Sequence, residues 1–188
     1  MTSQSRIYFR WTDAGQEEAE PLTTTDMPGE FARQWDVIRD VVRRSTGPLA
    51  IASVDPDGSP TITPIGTVFL RDDCTGFYFD QYTERLADNL DRNPRVCVMA
   101  VDSGSVFWLS SLLAGRFRKA IGVRLYGTAG PRRAAKAEEL DAVRRRVRLT
   151  QWTKGGRALW SDFSQVRDLT FSEARFVRYP VMMEKGSP

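Results

Sequence analysis

Apolar residues recur at helical spacing near the start of the chain and at strand spacing through much of the rest. Phe31, Trp35, Ile38, Val41 and Val42 mark one face of a helix. Asp26 is a candidate cap, Pro28 suits the first turn, and Gly47-Pro48 should stop the helix. Leu49 to Val54 is a short apolar run. The segment Asp55-Pro56-Asp57-Gly58 has turn chemistry, with proline fixing φ and glycine allowing a positive one. Thr61 to Leu70 is rich in β-branched and aromatic residues and predicts a second strand. Phe77-Tyr78-Phe79 opens a third, after the polar turn Arg71 to Gly76.

Thr83 to Asp91 predicts a short helix with Leu86 and Leu90 on its buried side, ended by Asn93-Pro94. Arg95 to Val101 and Val123 to Ala129 read as strands. The segment Phe107 to Gly122 between them reads as an irregular, partly basic excursion. Ala134 to Leu149 predicts a helix through Leu140, Val143 and Val147. Trp152 to Thr170 reads as a second excursion, and Phe171 to Met183 as the last strand. Short antiparallel strands interrupted by small helices define an α+β, mainly β, barrel-like domain of six strands. Residues 26–188 form that single domain. Residues 1–25, polar and carrying Glu17, Glu18 and Glu20, form an N-terminal extension.

Composition narrows the chemistry. The chain has no histidine, which removes Ser-His-Asp and Cys-His nucleophile systems, histidine metal clusters and a histidine-ligated haem. Acid–base work near neutral pH would fall to perturbed carboxylates, lysine or tyrosine, unless a cofactor brings its own chemistry. Cys74 and Cys97 show no CxxC spacing and are expected as free thiols. A net charge of +3 suits an anionic ligand and is too small to argue for nucleic acid. No apolar run is long enough for a membrane span, and the first residues lack the basic stretch and apolar core of a secretory signal. A cytoplasmic protein without nucleic-acid or membrane partners is therefore expected.

Residues 49–101 carry a family pattern. Ala50 to Pro64 contains a strand, a D-x-D-G-x-P turn and a second strand. The aromatic strand Phe77-Tyr78-Phe79 leads into a polar turn, and the short helix closes as Asn89-Leu90-Asp91-Arg92-Asn93-Pro94-Arg95-Val96. Leu125-Tyr126-Gly127-Thr128-Ala129 follows as a later strand. In this order the segments resemble the pyridoxamine-phosphate-oxidase-like, FMN-binding split-barrel superfamily. The resemblance implies an antiparallel split β-barrel with peripheral helices, and a homodimer with flavin bound in grooves between subunits.

It also implies a site. Thr63, Pro64, Ile65 and Gly66 match the segment that touches the flavin ring; Gln81 is a further candidate cofactor-binding residue, and Tyr82 either lines the flavin site or packs under it. Thr83 matches the family's phosphate-holding hydroxyl and Arg85 its arginine. Leu86 stands where the family carries a lysine. Physical reasoning points the same way, because a helix N-terminus offers free N–H groups and partial positive charge. In its plainest form the same pattern makes Thr83 only a cap and Arg85 a solvated charge.

Arg116, Arg118 and Lys119 form a basic cluster that either reaches a phosphate or the acidic tail of the deazaflavin F420, or is simply solvated. Trp108, Trp152 and Trp160 either cover a flat ring or anchor their loops. Arg144, Arg145, Arg146 and Arg148 read as a solvated helix face. FMN is the expected cofactor, F420 the alternative. The expected activity is hydride or electron-pair transfer to or from a small organic substrate, with no catalytic side chain required. A flavin carrier or sensor without turnover is the alternative from another class.

Overall fold

The structure, a computed structural model, describes residues 27–45, 47–117, 119–148, 153, 155 and 163–178. The expected N-terminal extension, Asp26, Arg118, Trp152 and Trp160 lie outside the described residues.

Helix α1 (Met27–Arg44) forms as its apolar spacing dictates, with Phe31, Trp35, Ile38, Val41 and Val42 all buried. Strand β1 (Leu49–Val54) alternates buried and half-buried positions. Its turn into β2 (Pro60–Ile65) is closed by Gly58 N–H donating to the Asp55 carbonyl (2.9 Å), with Gly58 at φ +86°. Strands β3 (Val68–Leu70) and β4 (Thr75–Phe79) form the next hairpin. Helix α2 (Glu84–Arg92), β5 (Arg95–Val101), α3 (Ser105–Ala114), β6 (Gly122–Ala134), α4 (Ala137–Val147) and β7 (Gln165–Phe176) complete the order.

The seven strands make one antiparallel sheet in the order β2-β1-β5-β6-β7-β4-β3. The two edge strands, β2 and β3, are consecutive in the chain and are joined only by Gly66-Thr67. One continuous segment thus runs from one edge of the sheet to the other, which curls the sheet into a split barrel. Helix α1 fills its larger core with Trp35, Ile38 and Val41 against Ile51, Val98, Leu125 and Phe171. Helix α4 covers a second cluster of Phe77, Phe79, Val143, Val147 and Val166. Among the described residues no helix is long and apolar enough to cross a membrane.

Three expectations are corrected. The predicted strand 61–70 is two strands, because the chain leaves one sheet edge at Ile65 and joins the other at Val68. Among the described residues the count is therefore seven, not six. Residues 105–114 are helical rather than irregular, ended by Gly115 at φ +62°. Their periodicity is inverted, with Ser111 buried and Val106, Leu109, Leu112 and Leu113 exposed. Strand β7 begins at Gln165, inside the expected excursion, because Arg167 is buried by ion pairing where an apolar residue would be expected.

Candidate functional site

The edge-to-edge segment lines a cleft. Thr63 to Thr67 form one wall, Gln81, Tyr82 and Thr83 the facing wall, and Phe79 and Phe163 contribute rings, enclosing about 310 Å³. A second cleft of about 490 Å³ is lined by Thr63, Tyr82, Thr83, Glu84, Arg85 and Leu86. The two share Thr63, Tyr82 and Thr83, so they form one groove from the Phe79–Phe163 pair to the start of α2. The rings of that pair meet edge-on at 4.8 Å.

The groove exists because the chain turns sharply after β4. Tyr82 sits at φ +60°, a left-handed conformation costly for an aromatic residue, and the residue is 67% exposed. The turn is held from below. Asp80, fully buried, accepts from Thr83 Oγ1 (2.7 Å) through Oδ1, and from Arg167 Nε (2.7 Å) and Arg132 Nε (3.0 Å) through Oδ2. Burial alone would raise the Asp80 carboxyl. The hydrogen bonds from Arg167, Thr83 and Arg132 outweigh it and hold the group below the ordinary carboxylate range. Arg167 also pairs with Asp91 of α2 (2.8 Å), which ties the helix to the barrel wall.

At the helix end of the groove, Thr83 is the N-cap of α2 but makes no side-chain capping bond. Its hydroxyl has turned to Asp80, so the first N–H groups of α2 keep their capacity for an anion. Arg85 is engaged by Asp55 in a two-point contact, Nε to Oδ1 at 3.1 Å and Nη2 to Oδ2 at 2.6 Å. The bonds from Arg85 and Asn89 hold the Asp55 carboxyl below its ordinary range despite its desolvation. The Arg85 side chain is 77% exposed, and its Nη1 is not part of this pairing. Leu86 is buried in the core and also lines the second cleft.

The groove thus gathers Thr63, Pro64, Ile65, Gly66, Gln81, Tyr82, Thr83, Arg85 and Leu86 of the sequence-predicted residues. Among the described residues of one chain it does not gather Trp108, Arg116 or Lys119. Trp108 donates from Nε1 to the Asp102 carbonyl (2.7 Å) and packs edge-on against Phe117 at 5.5 Å. Arg116 and Lys119 border a separate cleft of about 300 Å³ with Phe107, Ser110, Ser111 and Ala114. Asp80, Arg167, Arg132, Asp55 and Phe163 are the contributors that sequence reasoning missed. Their one sequence signal was an arginine inside a strand-like stretch.

The groove fits a flavin in kind. A slot between two backbone segments, floored by aromatic rings, suits a flat ring system, and the uncapped end of α2 suits a phosphate. The curled sheet with its two edge strands joined by the short Gly66-Thr67 link is the split β-barrel architecture. The family model for pyridoxamine 5'-phosphate oxidase matches residues 35–178, and the chain belongs to that superfamily. Solved structures agree in fold. An FMN-binding protein from Syntrophomonas wolfei is similar with TM-score 0.56 at 14% identity, over 79% of this chain and 90% of that one. HupZ from Group A Streptococcus is similar with TM-score 0.51 at 18% identity, over 78% of this chain and 96% of that one. The protein Atu2129 from Agrobacterium tumefaciens, of unknown function, gives TM-score 0.50 at 22% identity, over 83% of this chain and 60% of that one. No curated protein matches the sequence significantly.

Proposed function

We propose that this chain binds FMN along the Thr63–Thr67 segment and acts as a homodimeric oxidoreductase on a small organic substrate. The observation that carries the reading is the continuous groove, which joins an aromatic-floored slot to the uncapped N-terminus of α2. A bound flavin would supply hydride or electron-pair transfer at its N5. The protein's part is to bind and orient. The Thr63–Gly66 backbone and the facing turn would hold the ring, and the α2 N–H groups with Arg85 Nη1 the phosphate. The histidine-free composition is consistent with this division, since no side chain need shuttle a proton.

Dimerisation is supported by apolar surface that one chain leaves open. Ile62 on the edge strand β2, Tyr82 at the groove, and Val106, Leu109, Leu112 and Leu113 on α3 are all more than half exposed. F420 is the alternative cofactor, because Asp55 already engages Arg85 and Leu86 offers no charge at the phosphate end. Native mass spectrometry with FMN, riboflavin and F420 tests both the ligand and the dimer. The expected result is a dimer carrying FMN. If none of the three binds more tightly than about 1 mM, the flavin reading fails.

Arg85→Ala provides a finer check. Loss of a charged partner should weaken FMN by roughly tenfold while riboflavin, which lacks the phosphate, is nearly unaffected. Equal FMN affinities for wild type and variant would remove Arg85 from the phosphate site.

A further inference from the structure

We infer that Thr83 meets the ligand as a hydrogen-bond acceptor that reads a hydroxyl of the flavin's ribityl chain, and is not a donor to its phosphate. This rests on the flavin reading above and assigns Thr83 a role different from the one the family pattern implies. The Thr83–Asp80 bond, 2.7 Å between Oγ1 and Oδ1, needs one proton. Asp80 has none to give, because its other oxygen accepts from Arg167 and Arg132, guanidinium groups that stay charged. The proton in the bond is therefore the threonine's. A hydroxyl has only one, so what Thr83 turns to the groove is lone pairs.

A phosphate presents mainly acceptor oxygens and makes a poor partner for them. A ligand O–H makes a good one. Position selects which O–H. Thr83 lines both the ring slot and the cleft at the helix end, so it stands between them. In a ligand with a ring at one end and a phosphate at the other, that place belongs to the linking chain. Holding the hydroxyl on Asp80 also sets its direction: it is turned to the carboxylate and makes no side-chain cap on the α2 N–H groups. The amides stay open for the phosphate, and the threonine reads the neighbouring hydroxyl.

The test uses the full chain with Thr83→Val, which keeps shape and removes the acceptor. Thr83→Ala carries the same test if the valine variant does not fold. Affinities for FMN, riboflavin and lumiflavin are measured by fluorescence quenching. Lumiflavin carries the ring without ribityl or phosphate. The expected result is an equal loss of about tenfold for FMN and riboflavin, none for lumiflavin, and recovery with Thr83→Ser. A loss confined to FMN would make Thr83 a phosphate donor and overturn the inference. So would no loss at all, or a loss that includes lumiflavin. If wild type binds none of the three, the flavin reading falls and takes this inference with it. If wild type binds and the pattern differs, only the role of Thr83 falls.

Discussion

Replacing Arg167 by methionine is expected to destabilise the protein by about 3–5 kcal/mol, the cost of leaving a buried charge without its partner. Arg167 is fully buried on β7, opposite Tyr78 of β4 and Arg132 of β6. Methionine fills much of the volume but cannot donate to Asp80 or to Asp91. In a chain of this length each kcal/mol lowers Tm by about 2–4 °C, so a drop of roughly 6–20 °C is expected in a thermal melt. The pH dependence identifies the cause. In wild type the Asp80 carboxyl is depressed, so its contribution is present above the unfolded pKa of about 3.9 and is lost as pH falls through the lower folded value. In Arg167→Met the strongest opposing bond is gone and burial pushes the carboxyl up. The variant then carries at neutral pH a buried charge held only by Arg132 and Thr83, which protonation relieves, and its deficit relative to wild type should narrow as pH is lowered from 7 towards 4. A deficit independent of pH would mean lost packing, not lost pairing.

Burial of that arginine also shows where sequence reading stops. Helix α1 was legible because its apolar stripe packs on a single sheet face, so periodicity and burial coincide. The turn at Asp55–Gly58 was legible because its chemistry is local, and α2 because Leu86, Leu90 and Asn93-Pro94 lie within one short span. Strand β7 was only half legible. Arg167 and Asp168 interrupt its alternation, and their partners Asp80 and Arg133 lie far away in sequence. Helix α3 was missed because it exposes its leucines and buries a serine, the reverse of what a core-facing helix does.

The site divides in the same way. The two walls, 63–66 and 81–83, were recognisable from the family pattern. Their approach depends on β2 and β3 joining opposite sheet edges, which no local signal encodes. The pairing of Arg85 with Asp55 and of Thr83 with Asp80 changes what those side chains offer a ligand. Residue identity alone could not show that.

Gly127→Ala is expected to cost about 1–3 kcal/mol, near the top of that range, by overpacking the centre of the sheet. A Cβ at this position would stand 2.1 Å from the Thr170 carbonyl oxygen and 2.9 Å from the Phe171 Cα. Both are backbone atoms of the neighbouring strand, so no side chain can swing aside to relieve the contact. Gly127 lies where the β6–β7 register shifts, and its other side pairs with Val96 of β5, so β6 is held from both directions. Alanine is intrinsically better than glycine in a strand by roughly 0.5–1 kcal/mol, which offsets only part of the clash. Gly130→Ala is the control. There the nearest atom is 3.7 Å away, an ordinary contact, and the change should be neutral to slightly stabilising. Urea unfolding of both variants separates a steric cause from a general intolerance of β6 to substitution. The damage should also reach the groove. Thr170, which must retreat, pairs with Thr75 of β4, and β4 leads into the Asp80–Thr83 turn. Gly127→Ala should therefore weaken flavin binding under conditions where the variant remains folded, whereas Gly130→Ala should leave it unchanged. Equal midpoints and equal affinities for the two variants would show that β7 yields at Thr170 without cost.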